Sequence, residues 1–323
     1  MVARGSGVPP QEWDSLVAEQ DGHFLQGRAW AGFRAALGDD LLWSHGDGWC
    51  WLGQVRNRAG LRDLYLPYGP AAATALGVRR GVEAAVEAAR ANGIHFLRIE
   101  PWRQLDAAVV VGLGAARTER IQPQHTWVVD LTVDEAGLFA GLTQNRKRDV
   151  RAADRRGLRT RRSVQPGDVE VFLRLLGSTA DRGHFNVHPD RYYETLLGTL
   201  LPLGACSLYL ADAGEEALAA VITFHDDRAT YYAHAAADQE ASRRLNAPGP
   251  LAWRSILDAR TEGRRRYDFW GVAETADPAH PWAGLSRFKR GFGGRMHTTA
   301  GTWDLPLSRQ RYATYRVLKR LLP

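Results

Sequence analysis

Cysteine is scarce in this chain of 323 residues, which contains only Cys50 and Cys206. Two cysteines are too few for the disulfide framework of a secreted scaffold, and their spacing matches no metal-binding motif. The sequence therefore predicts a protein that works in a reducing, intracellular compartment.

Long hydrophobic runs are also missing. The most apolar window, Ala107–Ala116, is about half the length needed to cross a bilayer, and it contains two glycines. The first twenty residues lack the apolar stretch of a secretory signal. We therefore expect a cytoplasmic protein without a transmembrane segment, and peripheral contact with the inner face of the cell membrane stays open.

Lysine is the third scarcity, because Lys147, Lys289 and Lys319 are the only lysines among 42 basic residues. The formal net charge is +6 and the sequence pI is about 9.5, a balance that favours polyanionic partners. A lysine kept among arginines is typical of a site that needs a compact, titratable charge, although chance retention explains Lys319 equally well.

Catalytic nucleophiles and metal motifs are absent from the sequence. No serine lies in a G-x-S-x-G elbow, and neither cysteine has an activating context. His184 and His188 are four residues apart, but Pro189 discourages a helix through His188 and no further ligands accompany them. We therefore predict neither a metal site nor a covalent protein intermediate.

Hydrophobic periodicity predicts a mixed α/β chain in which one order of elements occurs twice. The first half has a helix at 24–37, a hairpin from 49–55 and 61–67, a helix at 78–91 and a strand at 94–100. The second half has a helix at 192–200, a hairpin from 207–212 and 217–225, a strand at 229–235, a helix at 250–261 and a strand at 267–272. The joints ARANGIHFLRIEP and ARTEGRRRYDFWGV look like corresponding parts of a duplicated unit. We place the domains at 1–133 with a returning segment 301–323, and at 134–300.

The stretch 142–163, LTQNRKRDVRAADRRGLRTRRS, is the most basic part of the chain. A helix to Arg156, capped by Gly157, would place Arg148, Arg151 and Arg155 on one face. Such a ridge is suited to phosphate contacts, but a solvated helix that links two domains would look the same.

A second unusual segment, Ser286–Gly294, reads SRFKRGFGG. Glycines beside aromatic residues permit close backbone approach and a tight turn, while Lys289 supplies a mobile cation. The Walker spacing is absent, so this is not a phosphate loop of that type. An ordinary glycine-rich turn with an exposed lysine is the alternative interpretation.

Several motifs, taken in order over residues 20 to 305, resemble landmarks of the Fem family of peptidoglycan aminoacyltransferases. They are Phe24-Leu-Gln, Tyr65-x-Pro-x-Gly-Pro70, Phe96-Leu-Arg-Ile-Glu-Pro101, Gln122-Pro-x-x-Thr126, Asn145-Arg-Lys-Arg148, Arg182-Gly-x-Phe185, Tyr267-Asp-Phe-Trp-Gly271 and Phe288-Lys-Arg-Gly-Phe-Gly293.

The resemblance implies two tandem acyltransferase (GNAT-like) domains, the first binding a precursor and the second an aminoacyl-tRNA. It implies transfer of an amino acid from aminoacyl-tRNA to the stem-peptide amine of a UDP-linked or lipid-linked muramyl-pentapeptide, with no further cofactor and no DNA. Larger members carry a coiled-coil insertion. Residues 136–205 show no sustained heptads, so the chain looks like a short, FemX-type member.

Matching by motif gives each candidate residue an implied role. Phe288 and Lys289 match the catalytic pair, and Lys289 would stabilise the oxyanion. Glu100 stands where the family has aspartate, and it or the substrate would assist proton removal. His188 stands where the family has an arginine on the diphosphate. The implied precursor-binding residues are Arg28, Trp30, His95, Asn186, His188, Tyr192 and Tyr231 or Tyr232. The implied tRNA-binding residues are Arg146, Lys147, Arg148, Arg151 and Arg155.

Two other functions remain open on sequence grounds. An acyl-CoA-dependent N-acyltransferase would use the same duplicated fold, but it would need a Gln/Arg-x-x-Gly-x-Gly/Ala pyrophosphate loop, and the sequence has no convincing copy. A non-catalytic protein that binds RNA or an anionic surface would use the arginine ridge alone, and its Phe288-Lys289 segment would be silent on mutation.

Overall fold

The computed structural model describes residues 2–58, 60–165, 167–183, 187–238 and 245–321. The chain divides into two compact units, one formed by residues 1–124 with 298–323 and the other by residues 125–297. The predicted boundaries at 133 and 301 differ from these. The strand His125–Asp130 pairs with Arg266–Gly271 and therefore belongs to the second unit.

The first unit is built on a seven-stranded mixed sheet. Its strands are β1 (Ala3–Ser6), β2 (Asp40–Gly46), β3 (Trp49–Arg58), β4 (Leu61–Leu66), β5 (Phe96–Ile99), β6 (Ala116–Arg117) and β14 (Trp303–Pro306). Its helices are α1 (Trp13–Glu19), α2 (Arg28–Ala36), α3 (Ala75–Ala91), α4 (Ala107–Gly112) and α11 (Arg309–Leu321), with 3₁₀ turns at Phe24–Gln26 and Gln104–Asp106. The strand order is β1-β2-β3-β4-β5-β14-β6, in which β4 and β5 are parallel.

The second unit has its own seven-stranded mixed sheet. Its strands are β7 (His125–Asp130), β8 (Leu158–Arg162), β9 (Cys206–Ala213), β10 (Glu216–His225), β11 (Ala229–Ala237), β12 (Arg266–Gly271) and β13 (Arg295–Thr298). Its helices include α5 (Glu135–Gly141), α6 (Gln144–Ala152), α7 (Asp168–Gly183), α8 (Asp190–Leu200), α9 (Pro248–Thr261) and α10 (Ala283–Arg290), with a 3₁₀ turn at Asp154–Arg156. The order is β8-β9-β10-β11-β12-β7-β13, in which β11 and β12 are parallel.

The two sheets have the same plan, which confirms the predicted repetition. In each sheet a helix, α3 or α9, connects the two parallel strands, as a crossover between parallel strands requires. Both helices end at a glycine with positive φ, Gly93 at 64° and Gly263 at 83°. The next amide, of Ile94 or Arg264, donates to the carbonyl five residues back, at 2.9 and 3.0 Å. The two joints are therefore alike in hydrogen bonding as well as in sequence.

Apolar side chains of the crossover helices form the cores of both units. In the first, α3 packs Val78 and Val82 into a cluster with Trp51 of β3. In the second, α9 contributes Leu251 and Ile256 to a separate cluster. Each such buried side chain contributes roughly 1.5–3 kcal/mol to stability.

The helices between β8 and β9 are short. α7 has 16 residues and α8 has 11, so neither forms the coiled-coil insertion of larger relatives. In the described part of the chain, no helix is both long and apolar enough to span a bilayer.

Candidate active site

The two parallel strands of the second unit separate near their ends. The ladder between β11 and β12 runs from the Ala229–Arg266 pair to the Tyr231–Asp268 pair, yet both strands continue beyond it. A register shift against β7 follows Asp268, and Trp270 takes a positive φ of 61°. This irregular end of β12 leaves side chains and backbone groups without a pairing partner on β11, so they are candidates for contact with a ligand.

Tyr231 and Tyr232, the two alternatives for one binding position, lie on opposite faces of β11. The Tyr231 hydroxyl is buried and donates to Asp226 Oδ2 at 2.7 Å, which is a structural role. Tyr232 lies on the face of Phe288, with ring centres 6.3 Å apart. Within the described residues the Tyr232 hydroxyl has no hydrogen-bond partner. The geometry therefore favours Tyr232 as the tyrosine of this site.

Lys289 lies in the last turn of α10, so the expected mobile cation on a glycine-rich turn is wrong. The glycines come just afterwards, where Gly293 and Gly294 have φ values of 76° and 89°. Lys289 is only 5% exposed, and its Nζ donates to the carbonyl oxygen of Gly271 at 2.7 Å. Among described residues this is its only acceptor, which leaves two ammonium protons for a ligand.

Two neighbours of Lys289 on α10 hold the chain just after β12. The backbone amide of Ala273 donates to Ser286 Oγ at 2.8 Å, and Arg290 Nη2 donates to the Ala273 carbonyl at 2.7 Å. Residues 286, 289 and 290 share one helical face because their spacing is i, i+3 and i+4. The S-x-x-K-R spacing thus fixes the end of β12 against α10.

Burial sets the electrostatics at this end of the strand. Burial lowers the Lys289 pKa to about 8, although the nearby Asp268 carboxylate opposes the shift. Burial raises the Asp268 pKa to about 6, against hydrogen bonds from the Trp270 amide at 2.7 Å and the Thr126 hydroxyl at 3.1 Å. At neutral pH both groups are mainly charged, so Lys289 presents a cation with little surrounding water.

The lowered pKa of Lys289 predicts a pH-dependent change in stability. The ordinary value is 10.5, so the unfolded chain holds this proton more tightly between about pH 8 and pH 10.5. The penalty for the buried cation is complete below pH 8 and disappears as the pH rises through that window. It corresponds to about 3 kcal/mol at about 1.4 kcal/mol per pH unit.

We therefore expect Lys289→Met to raise the free energy of unfolding at pH 7 by about 2 kcal/mol, since loss of the Gly271 hydrogen bond returns about 1 kcal/mol. Urea unfolding of both proteins from pH 7 to 10.5 measures the difference, which should shrink as the pH rises. A variant that is less stable by the same amount at every pH would contradict this.

Arg146 supports the site from α6. Its guanidinium carbon lies 5.1 Å from the Phe288 ring centre, and Nη1 lies 3.3 Å from Asp149 Oδ2. An added Cβ at Gly249 would be 2.6 Å from Arg146 Nη1, and one at Gly291 would be 3.0 Å from Arg146 Cγ. These glycines make room for the arginine beside Phe288, and its predicted contact with tRNA stays a prediction.

The rest of the basic segment divides into exposed and anchored charges. Lys147 donates from Nζ to the Ala140 carbonyl at 2.8 Å. Arg148, Arg151 and Arg155 are exposed, as the ridge requires. The predicted helix to Arg156 instead stops at Ala152, and Arg155 lies in the 3₁₀ turn that Gly157 ends with a φ of 71°. Of the three ridge arginines, therefore, only Arg148 and Arg151 lie on one α-helix.

An aromatic cluster covers the face of β11 that lies opposite Tyr232 and Phe288. His188 stacks on Tyr192, with ring centres 3.8 Å apart. The ring centres of His234 and His188 are 6.4 Å apart. His234 joins the cluster because β11 shifts its register against β10, which pairs this histidine with Ile222. Sequence periodicity gave no sign of this histidine. The predicted Asn186, together with His184 and Phe185, lies outside the described residues.

Glu100, the expected aid to proton removal, is buried in the interior of the first unit. It is 1% exposed and accepts four hydrogen bonds. The donors are the Tyr65 hydroxyl at 2.5 Å, the Thr302 hydroxyl at 2.5 Å, the Ile121 amide at 3.1 Å and the Gln122 amide at 3.0 Å. A carboxylate whose lone pairs are occupied in this way is poorly placed to accept a substrate proton.

The other predicted residues of the first unit contact partners other than Glu100. His95 precedes β5 and accepts from the Arg62 amide at 3.0 Å, whereas Glu100 follows the same strand. Trp30 is buried beside Phe33, with ring centres 5.1 Å apart. Arg28 is half-buried, and its Nε donates to the Pro9 carbonyl at 3.1 Å.

Comparison with known proteins identifies the family. The model of the FemAB family matches residues 108–201 and 203–320. No curated protein sequence matches. Similar solved structures include FemX, with 17% identity over 97% of this chain and 99% of that chain and a TM-score of 0.85.

More distant structures share the fold. L-PGS from Bacillus licheniformis has 13% identity over 98% of both chains and a TM-score of 0.61. A tandem GNAT protein of the clavulanic acid biosynthesis pathway has 15% identity, covers 95% of this chain and 98% of that chain, and has a TM-score of 0.54. At these identities the structures establish the paired GNAT-like architecture, and the family model extends over most of the chain. This protein belongs to the FemAB family.

Proposed function

We propose that this protein transfers an amino acid from an aminoacyl-tRNA to an amine on the stem peptide of a peptidoglycan precursor. Membership of the FemAB family supports an acyltransferase of peptidoglycan bridge formation in general terms. The observation that carries the finer proposal is Lys289, a buried cation with two unused donors at the end of β12.

The chemistry requires no protein nucleophile. The acceptor amine attacks the ester carbonyl of aminoacyl-tRNA, forming a C–N bond and a tetrahedral oxyanion. Collapse of the oxyanion breaks the ester C–O bond, and a proton from the amine ends on the ribose oxygen. Lys289 donates to the oxyanion while its remaining bond to Gly271 keeps the ammonium in place. Such preorganised donors contribute a few kcal/mol to transition-state stabilisation.

Phe288 and Tyr232 would form the apolar side of the reaction site. Phe288 is held between Arg146, at 5.1 Å, and Phe292, at 5.3 Å between ring centres. Exclusion of water by these rings strengthens the interaction between Lys289 and the oxyanion. The hydroxyl of Tyr232 is available to bind either substrate.

The exposed arginines of the basic segment are suited to the tRNA phosphates. We expect Arg148→Ala/Arg151→Ala/Arg155→Ala to weaken tRNA binding and to flatten its log–log salt dependence by about one unit per lost contact. Fluorescence anisotropy over a salt series measures both quantities. The matched control is Arg174→Ala/Arg191→Ala, two exposed arginines on α7 and α8. A triple variant that behaves like this control would make the ridge an ordinary solvated surface.

The acceptor is tested with purified protein, total charged tRNA and either UDP-linked or lipid-linked muramyl-pentapeptide. Mass spectrometry of the precursor should show the mass of one or more amino acid residues added to the peptide. Both substrates belong to the cytoplasmic side of the membrane, which is where we propose that the protein acts. Acceptance of the lipid-linked form alone would support peripheral contact with the membrane, while no mass increase on either acceptor would refute the proposed function.

A further inference from the structure

A cavity of about 300 Å³ opens beside α10 in the second unit. Its lining includes two arginines, Arg287 and Arg290, and three hydroxyl side chains, Thr143, Thr275 and Ser286. Among the described residues that line it, none is acidic. At about 30 Å³ per water molecule, it has room for much more than a bare ion.

The two arginines are in different states. Arg287 is exposed, and within the described residues its guanidinium has no hydrogen-bond or ion-pair partner. Arg290 is half-buried: Nη2 donates to Ala273 and the guanidinium carbon lies 5.6 Å from the Trp127 ring centre. Its Nε is fully buried and has no partner. Because Nε is closed to solvent, an anion in the cavity would contact Arg290 through its terminal Nη groups.

We infer that this cavity binds a phosphate of the donor RNA close to its aminoacylated end, together with part of the attached nucleoside. The planar guanidinium groups are suited to bidentate phosphate contacts. The Thr143 hydroxyl already donates to the Gly291 carbonyl, whereas the hydroxyls of Thr275 and Ser286 accept from backbone amides and keep their protons for a ligand. The small residues Ala276 and Ala283 leave space for a sugar or base. This inference rests on the proposed function, because it assigns the ligand from the reaction at Lys289.

The position of the cavity favours RNA, rather than the diphosphate of a precursor, as its ligand. Ser286 lines the cavity and stands one helical turn before Lys289, so a phosphate bound there lies near the reacting ester. Thr143, also in the lining, directly precedes α6, which carries the exposed Arg148 and Arg151. Positive charge thus continues away from the cavity along the chain, an arrangement that suits an extended polyanion better than a compact one.

The test compares Arg287→Ala and Arg287→Lys with wild type in binding two probes, an uncharged acceptor-stem RNA ending in CCA and UDP-muramyl-pentapeptide. Arg287 is exposed, so its replacement should leave folding intact, and Arg174→Ala is the matched control. We expect Arg287→Ala to bind the RNA about tenfold more weakly, with a log–log salt slope smaller by about 0.7. Arg287→Lys should restore the slope and only part of the affinity, while binding of the precursor stays unchanged.

Each other outcome overturns the inference. Weaker binding of the precursor alone would assign the cavity to a diphosphate, and unchanged binding of both probes would leave it without a ligand. Failure of the inference differs from failure of the proposed function. In the first case Arg287→Ala binds RNA normally while the wild type still transfers an amino acid; in the second, the wild type transfers none.

Discussion

Replacement of Lys289 by alanine should lower the rate of amino acid transfer by about a hundredfold or more. The side chain is buried, its ammonium has two donors beyond the Gly271 hydrogen bond, and loss of an oxyanion donor has effects of this size. Single-turnover transfer with saturating aminoacyl-tRNA measures the chemical step directly. We expect the dissociation constants of both substrates to change far less than the rate.

Two substitutions separate this role from support of the fold. Lys289→Met keeps the volume of the side chain and should be as slow as Lys289→Ala, although it is the more stable protein at pH 7. Lys289→Arg should recover only part of the rate, because the larger, planar guanidinium group cannot take the position of the compact ammonium group. The wild-type rate should also fall as the pH rises through about 8, where Lys289 loses its proton. Near-normal transfer by Lys289→Met would remove the catalytic role.

Replacement of Glu100 by alanine should lower the free energy of unfolding by about 3–5 kcal/mol. It would leave two backbone amides and two hydroxyls of the first unit without their acceptor, and buried donors without partners are costly. Urea unfolding measures the loss. Glu87→Ala is the matched control, because its carboxylate is 66% exposed and its loss should cost less than about 0.5 kcal/mol.

The same variant tests whether Glu100 assists proton removal. At a temperature where Glu100→Ala remains folded, we expect the transfer rate per folded molecule to stay near that of wild type. A rate reduced by orders of magnitude in a protein of unchanged stability would restore the catalytic interpretation.

The repeated architecture was predictable because its signals are local. The helix α3 follows from apolar positions three or four residues apart, and its end follows from Gly93. The second joint has the same pattern around Gly263, so the repetition of the unit could be recognised without knowledge of distant contacts. The domain boundary was less accessible, since assigning β7 to the second sheet depends on its pairing with β12, which lies far away in sequence.

The candidate site was predictable in composition but not in geometry. The motif around Lys289 drew attention to this residue, but its glycines suggested a turn, whereas the lysine completes a helix whose inner face binds the end of β12. Adjacent tyrosines at 231 and 232 could not be distinguished by spacing alone. Partners far along the chain decide between them, Asp226 for one and Phe288 for the other.

Other parts of the site left little trace in the sequence. Asp268 lies within the Tyr-Asp-Phe-Trp-Gly motif, and a carboxylate inside an aromatic strand was the available signal for a buried charge. Arg287 and Arg290 look like ordinary members of an arginine-rich chain. Only the tertiary fold shows that they line one cavity, whose described lining includes no carboxylate.

The most direct test of the account concerns the donor. Wild-type protein is given one accepted precursor with either an isotopically labelled aminoacyl-tRNA or an equal concentration of acetyl-CoA, and the precursor is analysed by mass spectrometry. The account predicts a labelled amino acid residue on the stem peptide with the first donor, none after the tRNA has been deacylated, and no acetyl group with the second. Acetylation of the precursor together with absence of the labelled residue would contradict it.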